Sequence, residues 1–149
     1  MSEDLRIGFH LLDIKRLLFN LDAGVDINEA EYELSVQLGF GAAPELKRVK
    51  AVPRITFEFE NEAFITLELA LTFAIDPNAW EKMLDGEGNL VLPLGFALHL
   101  GVIGVGTARG FLSAKLEGDP DYSQLILPTV DLTQTVVEDI VIGFEEEEE

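Results

Sequence analysis

Two histidines, a run of closely spaced glycines and several carboxylates at alternating positions are the residues of this chain that could do chemistry. Gly104-Val-Gly106-Thr-Ala-Arg109-Gly110 has the spacing of a dinucleotide-binding turn. A loop that cradles phosphates needs a strand before it and a new helix after it, so that backbone N–H groups converge on the anion. Here Arg109 takes the place of the third glycine, and no βαβ pattern surrounds the run. The glycines fall, with Gly101, inside one helical stretch. Each costs a helix about 1 kcal/mol relative to alanine. Four of them imply that another helix or sheet approaches closely.

His10 and His99 are the only histidines. Nucleophilic hydrolysis needs a nucleophile, a histidine and an orienting acid held together. Ser113 lies far along the helical run from His99, and nothing local links them. A hydrogen-bonded core or interface histidine is the expected role of His99. Glu58, Glu60 and Glu68 could pair as acid and base, but on alternating strands they are expected to form a solvated face. The chain has no cysteine, which removes disulfides and thiolate metal sites. The residues call for no catalytic group, cofactor or metal.

Charge narrows the partners. The 149 residues carry 28 acids and 10 bases, a formal net charge of −18. That field repels phosphate backbones and anionic lipid surfaces, so nucleic acid and stable membrane insertion are not expected. A basic protein or a basic unfolded segment fits better. Lys47, Arg48, Lys50 and Arg54 form a basic cluster that could pair with acids of a neighbouring subunit. Residues 145–149 are five glutamates, read as a solvating tail with the option of docking a basic partner. The N-terminal residues lack the basic region of a signal peptide. With the absence of cysteine, this suits the cytoplasm. Residues 90–106 are almost wholly apolar but fall short of the roughly 20 residues of a membrane span, and a buried helix is expected.

The elements that position these groups follow from periodicity. Residues 7–22 fit a long bent strand, or alternatively a helix over residues 4–20. Residues 30–40 alternate, with Tyr32, Leu34, Val36, Leu38 and Phe40 on one face. Residues 41–44 break that strand, and residues 45–50 read as a loop or extended edge. Residues 54–60 alternate again. After a turn at Asn61-Glu62, residues 63–75 place Ile65, Leu67, Leu69, Leu71, Phe73 and Ile75 on one face. Short connections imply antiparallel pairing. Asp76 caps a short helix with Pro77 at its first turn, carrying Trp80, Met83 and Leu84. A turn at residues 85–89 leads to a long helix over residues 93–115. An extended connection over residues 119–128 follows. Asp131 then caps a last helix through Leu132, Val136, Val137, Ile140 and Val141, ended by Gly143. The fold class is α+β, a four-stranded antiparallel sheet with C-terminal helices packed on one face. Residues 1–144 form one domain and residues 145–149 an acidic tail. Apolar groups on both faces of the fourth strand, including Phe64 opposite Ile65, predict a homo-oligomer.

Several segments carry a family resemblance: Phe9-His-Leu-Leu-Asp-Ile14, Ala63-Phe64-Ile65, Leu92-Pro93, Ala108-Arg109-Gly110, and Leu125-Ile-Leu-Pro-Thr-Val-Asp-Leu132. In this order, over nearly the whole chain, they resemble the SecB family of protein-export chaperones. The resemblance implies an ATP-independent holdase. Such proteins form tetramers, keep secretory clients unfolded and pass them to the SecA motor; SecB-like proteins also serve toxin–antitoxin pairs. Holding an unfolded chain needs exposed apolar pockets near open strand edges or acids, and the candidates are Phe64, Phe73, Trp80, Met83, Leu84 and Phe96, where the fourth strand, the short helix and the long helix should meet; the resemblance bears on docking. It places partner docking on Asp22 and, with a one-residue slip of register, Glu68. Leu18 and Leu67 stand where members that dock SecA carry acids, and the glutamate tail lacks the basic or metal-contacting features of a SecA-docking tail. The alternative is a SecB-like binding or scaffold module, or a toxin–antitoxin chaperone, dedicated to one partner.

Overall fold

Alternation does set the sheet. The computed structural model describes residues 6–27 and 31–144. Four strands, β1 (Phe9–Leu21), β2 (Glu33–Ala43), β3 (Arg48–Phe59) and β4 (Glu62–Ile75), form an antiparallel sheet in the order β1-β4-β3-β2. The six alternating apolar residues of β4 are all buried, each at 4% exposure or less. Val49, Ala51, Ile55 and Phe57 of β3 share their face, opposite Phe73, Leu71, Leu67 and Ile65 of β4. The β3–β4 ladder is interrupted at Val52 and Pro53, as the missing N–H of proline requires.

Residues 7–22 contain the strand β1, not the alternative helix; the first residues of that alternative lie outside the described residues, as does the start of the expected 30–40 strand. Two bulges, between Leu11 and Asp13 and between Arg16 and Leu18, bend β1 and turn successive apolar residues to both faces. Leu11, Leu12, Ile14, Leu17 and Leu21 are all exposed on this edge. β2 runs on through Gly41, Ala42 and Ala43, and β3 begins at Arg48. Most of the basic cluster is therefore in a strand rather than a loop. Lys47 takes a left-handed conformation, φ 54°, in the turn between them.

After β4, Asp76 caps α1 (Pro77–Met83) by accepting a bond from the Ala79 N–H. A tight turn leads to β5 (Asn89–Leu92) and then α2 (Leu94–Leu116). α2 is long and apolar enough, by length and composition, to cross a membrane. Here it lies on the core face of the sheet, burying Phe96, Ala97, Leu100, Val105, Ala108, Leu112 and Leu116. Two of its glycines make that approach possible. A Cβ on Gly101 would stand 2.7 Å from Leu38 Cδ1, and one on Gly104 would stand 3.3 Å from Pro53 Cγ. Gly106 and Gly110 instead face outward, with no close neighbour.

The expected last helix is not there. Asp131 caps a single 3-10 turn, Leu132–Gln134, and the chain then extends into β6 (Ile140–Gly143), which pairs with β5. Leu132 and Val136 have helical spacing, but the residues that follow are rich in β-branched types, which favour a pleated surface. β5 supplies the partner. Ile140 and Ile142 turn inward while Val141 stays exposed. The returning segment also caps α2, where Asp139 Oδ1 accepts the Leu94 N–H at 2.9 Å.

Candidate functional site

At the end of the sheet marked by Ile65, three irregular segments meet: the loop leaving β1, the β3–β4 turn, and the turn after α2. The Asp22 N–H bonds to Phe64 O at 2.8 Å and fixes where the first loop leaves the sheet. Glu60 and Asn61 both hold positive φ, 54° and 67°, in the tight β3–β4 turn. Such paired left-handed residues suit the right-handed twist of the flanking strands. The third segment is shaped by Asp119, whose carboxylate accepts the N–H groups of Asp121 and Tyr122. This turns Tyr122 under the first loop. Its hydroxyl accepts the Val25 N–H at 3.1 Å and donates to Val25 O at 2.9 Å.

A shared aromatic cluster results, buried except at Tyr32. Tyr122 packs on Phe64 at 5.9 Å between ring centroids, Phe64 on Phe57 at 6.2 Å, and Tyr32 on both at 5.8 and 6.1 Å. Above it lies a cleft of about 400 Å³, lined by residues 22–25 with Phe59, Glu60, Glu62, Ala63 and Phe64. A second cleft of about 400 Å³, lined by Gly24, Val25, Asp26, Pro120 and Asp121, lies on the other side of the same loop. Asp22, Glu60 and Glu62 rim the first and Asp26 and Asp121 the second. The carboxylate rims, over rings that are themselves buried, suit a polypeptide segment that carries basic side chains beside small or aliphatic ones. They offer no nucleophile–base pair.

Of the residues that the sequence pointed to, Phe64 and Asp22 line this groove. The other six, Phe73, Trp80, Met83, Leu84, Phe96 and Glu68, do not join them. Phe73 lies about nine strand residues away, roughly 30 Å along β4, with no exposure, and both it and Phe96 pack on Phe9. Trp80 and Met83 are 2% and 3% exposed. Trp80 is stacked under Phe144, next to the β5–β6 ribbon that replaced the expected helix. Leu84 is half-buried and bridges to Leu90. The six client-binding candidates therefore do not form one open patch. Strand length separates them, and five are packed against the core. Glu68 sits on the opposite sheet face, where Arg54 Nη1 donates to it at 2.6 Å. His99 is exposed on α2, its ring edge-on to Phe9 at 5.7 Å, rather than in the core. Among the described residues, no group of three or more histidines or acids is placed to hold a metal. The residues missed by sequence reasoning are Tyr122, Tyr32 and Val25. The signal available was Pro120-Asp121-Tyr122, an aromatic beside turn-forming residues in the polar stretch 117–124.

The architecture is that of the SecB-like chaperones: one four-stranded antiparallel sheet with helical and extended C-terminal segments on a single face. Among solved structures, the chain is similar to the SecB-like chaperone Rv1957 of Mycobacterium tuberculosis, in complex with a ChAD peptide from the Rv1956 HigA1 antitoxin. The two superpose with a TM-score of 0.53 at 14% identity, over 82% of this chain and 90% of that one. No protein-family model and no curated protein sequence matches the chain.

Proposed function

We propose that this chain is a holdase: it binds unfolded or extended polypeptide segments in the groove over Phe64 and Tyr122, without catalysis and without a cofactor. The observation that carries this reading is the pair of open, carboxylate-rimmed clefts beside the loop after β1, on a SecB-like fold. Clients are segments that combine apolar and basic side chains. The narrower reading is a module serving one partner, and the antitoxin peptide held by the Mycobacterium chaperone favours it. Export coupling through SecA is the less supported branch, because Glu68, one of its two docking candidates, already pairs with Arg54.

The protein assembles with copies of itself, as a tetramer by the same resemblance. The surface for this is β1, a long outer strand with five exposed aliphatic side chains. An unpaired edge of that length and composition is a template for another strand.

Ala63 offers a clean test. It is exposed and lines the groove, so Ala63→Arg should block the floor and reverse the local charge without disturbing the core. Binding of fluorescein-labelled peptides, some apolar-basic and some apolar-acidic, is measured by anisotropy on the parent and the variant. The expected result is at least a tenfold loss for apolar-basic peptides at unchanged melting temperature. Unchanged binding would refute the groove. Binding of one peptide out of a broad panel would favour the dedicated module over the general holdase.

A further inference from the structure

The rings beneath the clefts are covered by the chain itself. Phe57, Phe64 and Tyr122 are 1%, 3% and 1% exposed, although Phe64 lines the first cleft. The strap that leaves β1, residues 22–27, lies against them. Gly24 and Val25 line both clefts, so this one strap is the wall between the two.

The strap is held at Val25 by a contact that any polypeptide can make. The Tyr122 hydroxyl accepts from the Val25 N–H at 3.1 Å and donates to the C=O of the same residue at 2.9 Å. Both bonds go to backbone groups, which every residue except proline carries in full. The Val25 side chain is half-buried and packs against the core. An extended segment of another chain offers the same set: one N–H, one C=O and one aliphatic side chain. The strap also has a root and a pivot. Phe64 O fixes the Asp22 N–H at 2.8 Å. Two residues on, Gly24 has φ 113°, and a Cβ placed there would meet nothing within 4 Å. Glycine enters and leaves that left-handed conformation without steric cost, so the chain can turn at Gly24 while Asp22 stays in place.

We propose that the strap stands in the client's place: Val25 occupies the Tyr122 hydroxyl and the aromatic cluster as a client residue does, and a client binds by exchanging with it. This rests on the holdase reading and adds how rings buried in the free protein come to meet a client. Lifting Val25 also removes the wall between the clefts, which then form one groove rimmed by the carboxylates of both. The strap is tethered, so it competes at high effective concentration. The client's apparent affinity is lowered by the fraction of molecules in which the strap is open.

Hydrogen exchange at the Val25 amide, read on the full chain by mass spectrometry with fragmentation, tests the displacement directly. The probe is an apolar-basic peptide of the anisotropy assay, at saturation. The expected result is exchange at least about fivefold faster with peptide bound than without, because displacement frees a hydrogen-bonded N–H. A segment that merely lay over the strap would slow it. Val25→Ala is the second arm. It trims the strap's side chain and keeps its backbone, and it should bind the same peptide about fivefold more tightly, because a strap with less apolar burial opens more often. The exchange arm needs no substitution, so it decides whether or not the variant folds. Exchange at Val25 that bound peptide slows or leaves unchanged would overturn the strap and leave the holdase reading in place. So would a folded Val25→Ala that binds no more tightly than the parent. A peptide that binds neither protein would overturn both.

Discussion

Alanine placed at Gly101 and at Gly110 should change stability in opposite directions, although both lie within α2. In a helix, glycine-to-alanine alone gains about 1 kcal/mol. At Gly110 a Cβ would meet nothing within 4 Å, so that gain should appear almost whole, at about 0.5–1 kcal/mol. At Gly101 the same atom would stand 2.7 Å from Leu38 Cδ1 and 3.2 Å from Leu132 Cδ1. Carbon pairs prefer about 3.5–4.0 Å, and relieving such an overlap in a packed interior costs about 1–3 kcal/mol. The net effect at Gly101 is a loss of about 1 kcal/mol, which leaves the two variants about 2 kcal/mol apart. Urea unfolding followed by the fluorescence of Trp80, the single tryptophan, reads this difference as a shift in midpoint at constant slope. Two protein concentrations keep association apart from protomer stability. Gly101→Ala equal to or more stable than Gly110→Ala would refute the assignment of inward and outward glycines.

Tyr122→Phe removes both hydrogen bonds to Val25 and should cost about 1 kcal/mol; hydrogen exchange at the Val25 amide should quicken, and an unchanged rate would show that the hydroxyl does not hold the loop. The acid limb of stability should depend on Asp85 and Asp131. The Glu87 N–H first, and then the Asn89 side chain, hold the Asp85 carboxyl below its usual value of 3.8, and the Thr133 hydroxyl and N–H do the same for Asp131. A carboxyl whose folded pKa is lowered stabilises the fold above the unfolded value, and that contribution disappears as pH falls from 3.8 through the folded value. Asp85→Asn with Asp131→Asn should therefore flatten the fall in urea midpoint between about pH 4 and pH 2; a slope equal to that of the parent would contradict it.

The strands were readable because one buried face imposes strict alternation. The residues from Ile65 to Ile75 show that pattern without interruption. Bulges made β1 ambiguous, since each one shifts the phase and lets Leu11 and Leu12 read as either period. The C-terminal ribbon was hidden for a different reason. Leu132, Val136 and Ile140 match a helical spacing, and nothing near them in sequence announces that residues 89–92 will be the partner. The groove was legible only through Phe64 and Asp22. The cluster beneath it is assembled from Tyr32, Phe57, Phe64 and Tyr122, on four separate segments, and the loop over it depends on one hydroxyl meeting a backbone 97 positions away. No periodicity encodes such a meeting.

The order of strands in the sheet has a consequence for how the chain is made. β2, β3 and β4 form two local hairpins, which close on a scale of about 1–10 μs. β1 pairs with β4 alone, Leu21 opposite Ile65 and Phe9 opposite Ile75. On a ribosome adding about 5–20 residues per second, β1 is finished several seconds before the last residues of its partner strand exist. Through that interval Leu11, Leu12, Ile14 and Leu17 have no sheet to join. The nascent chain thus displays an unpaired aliphatic strand until β4 is complete.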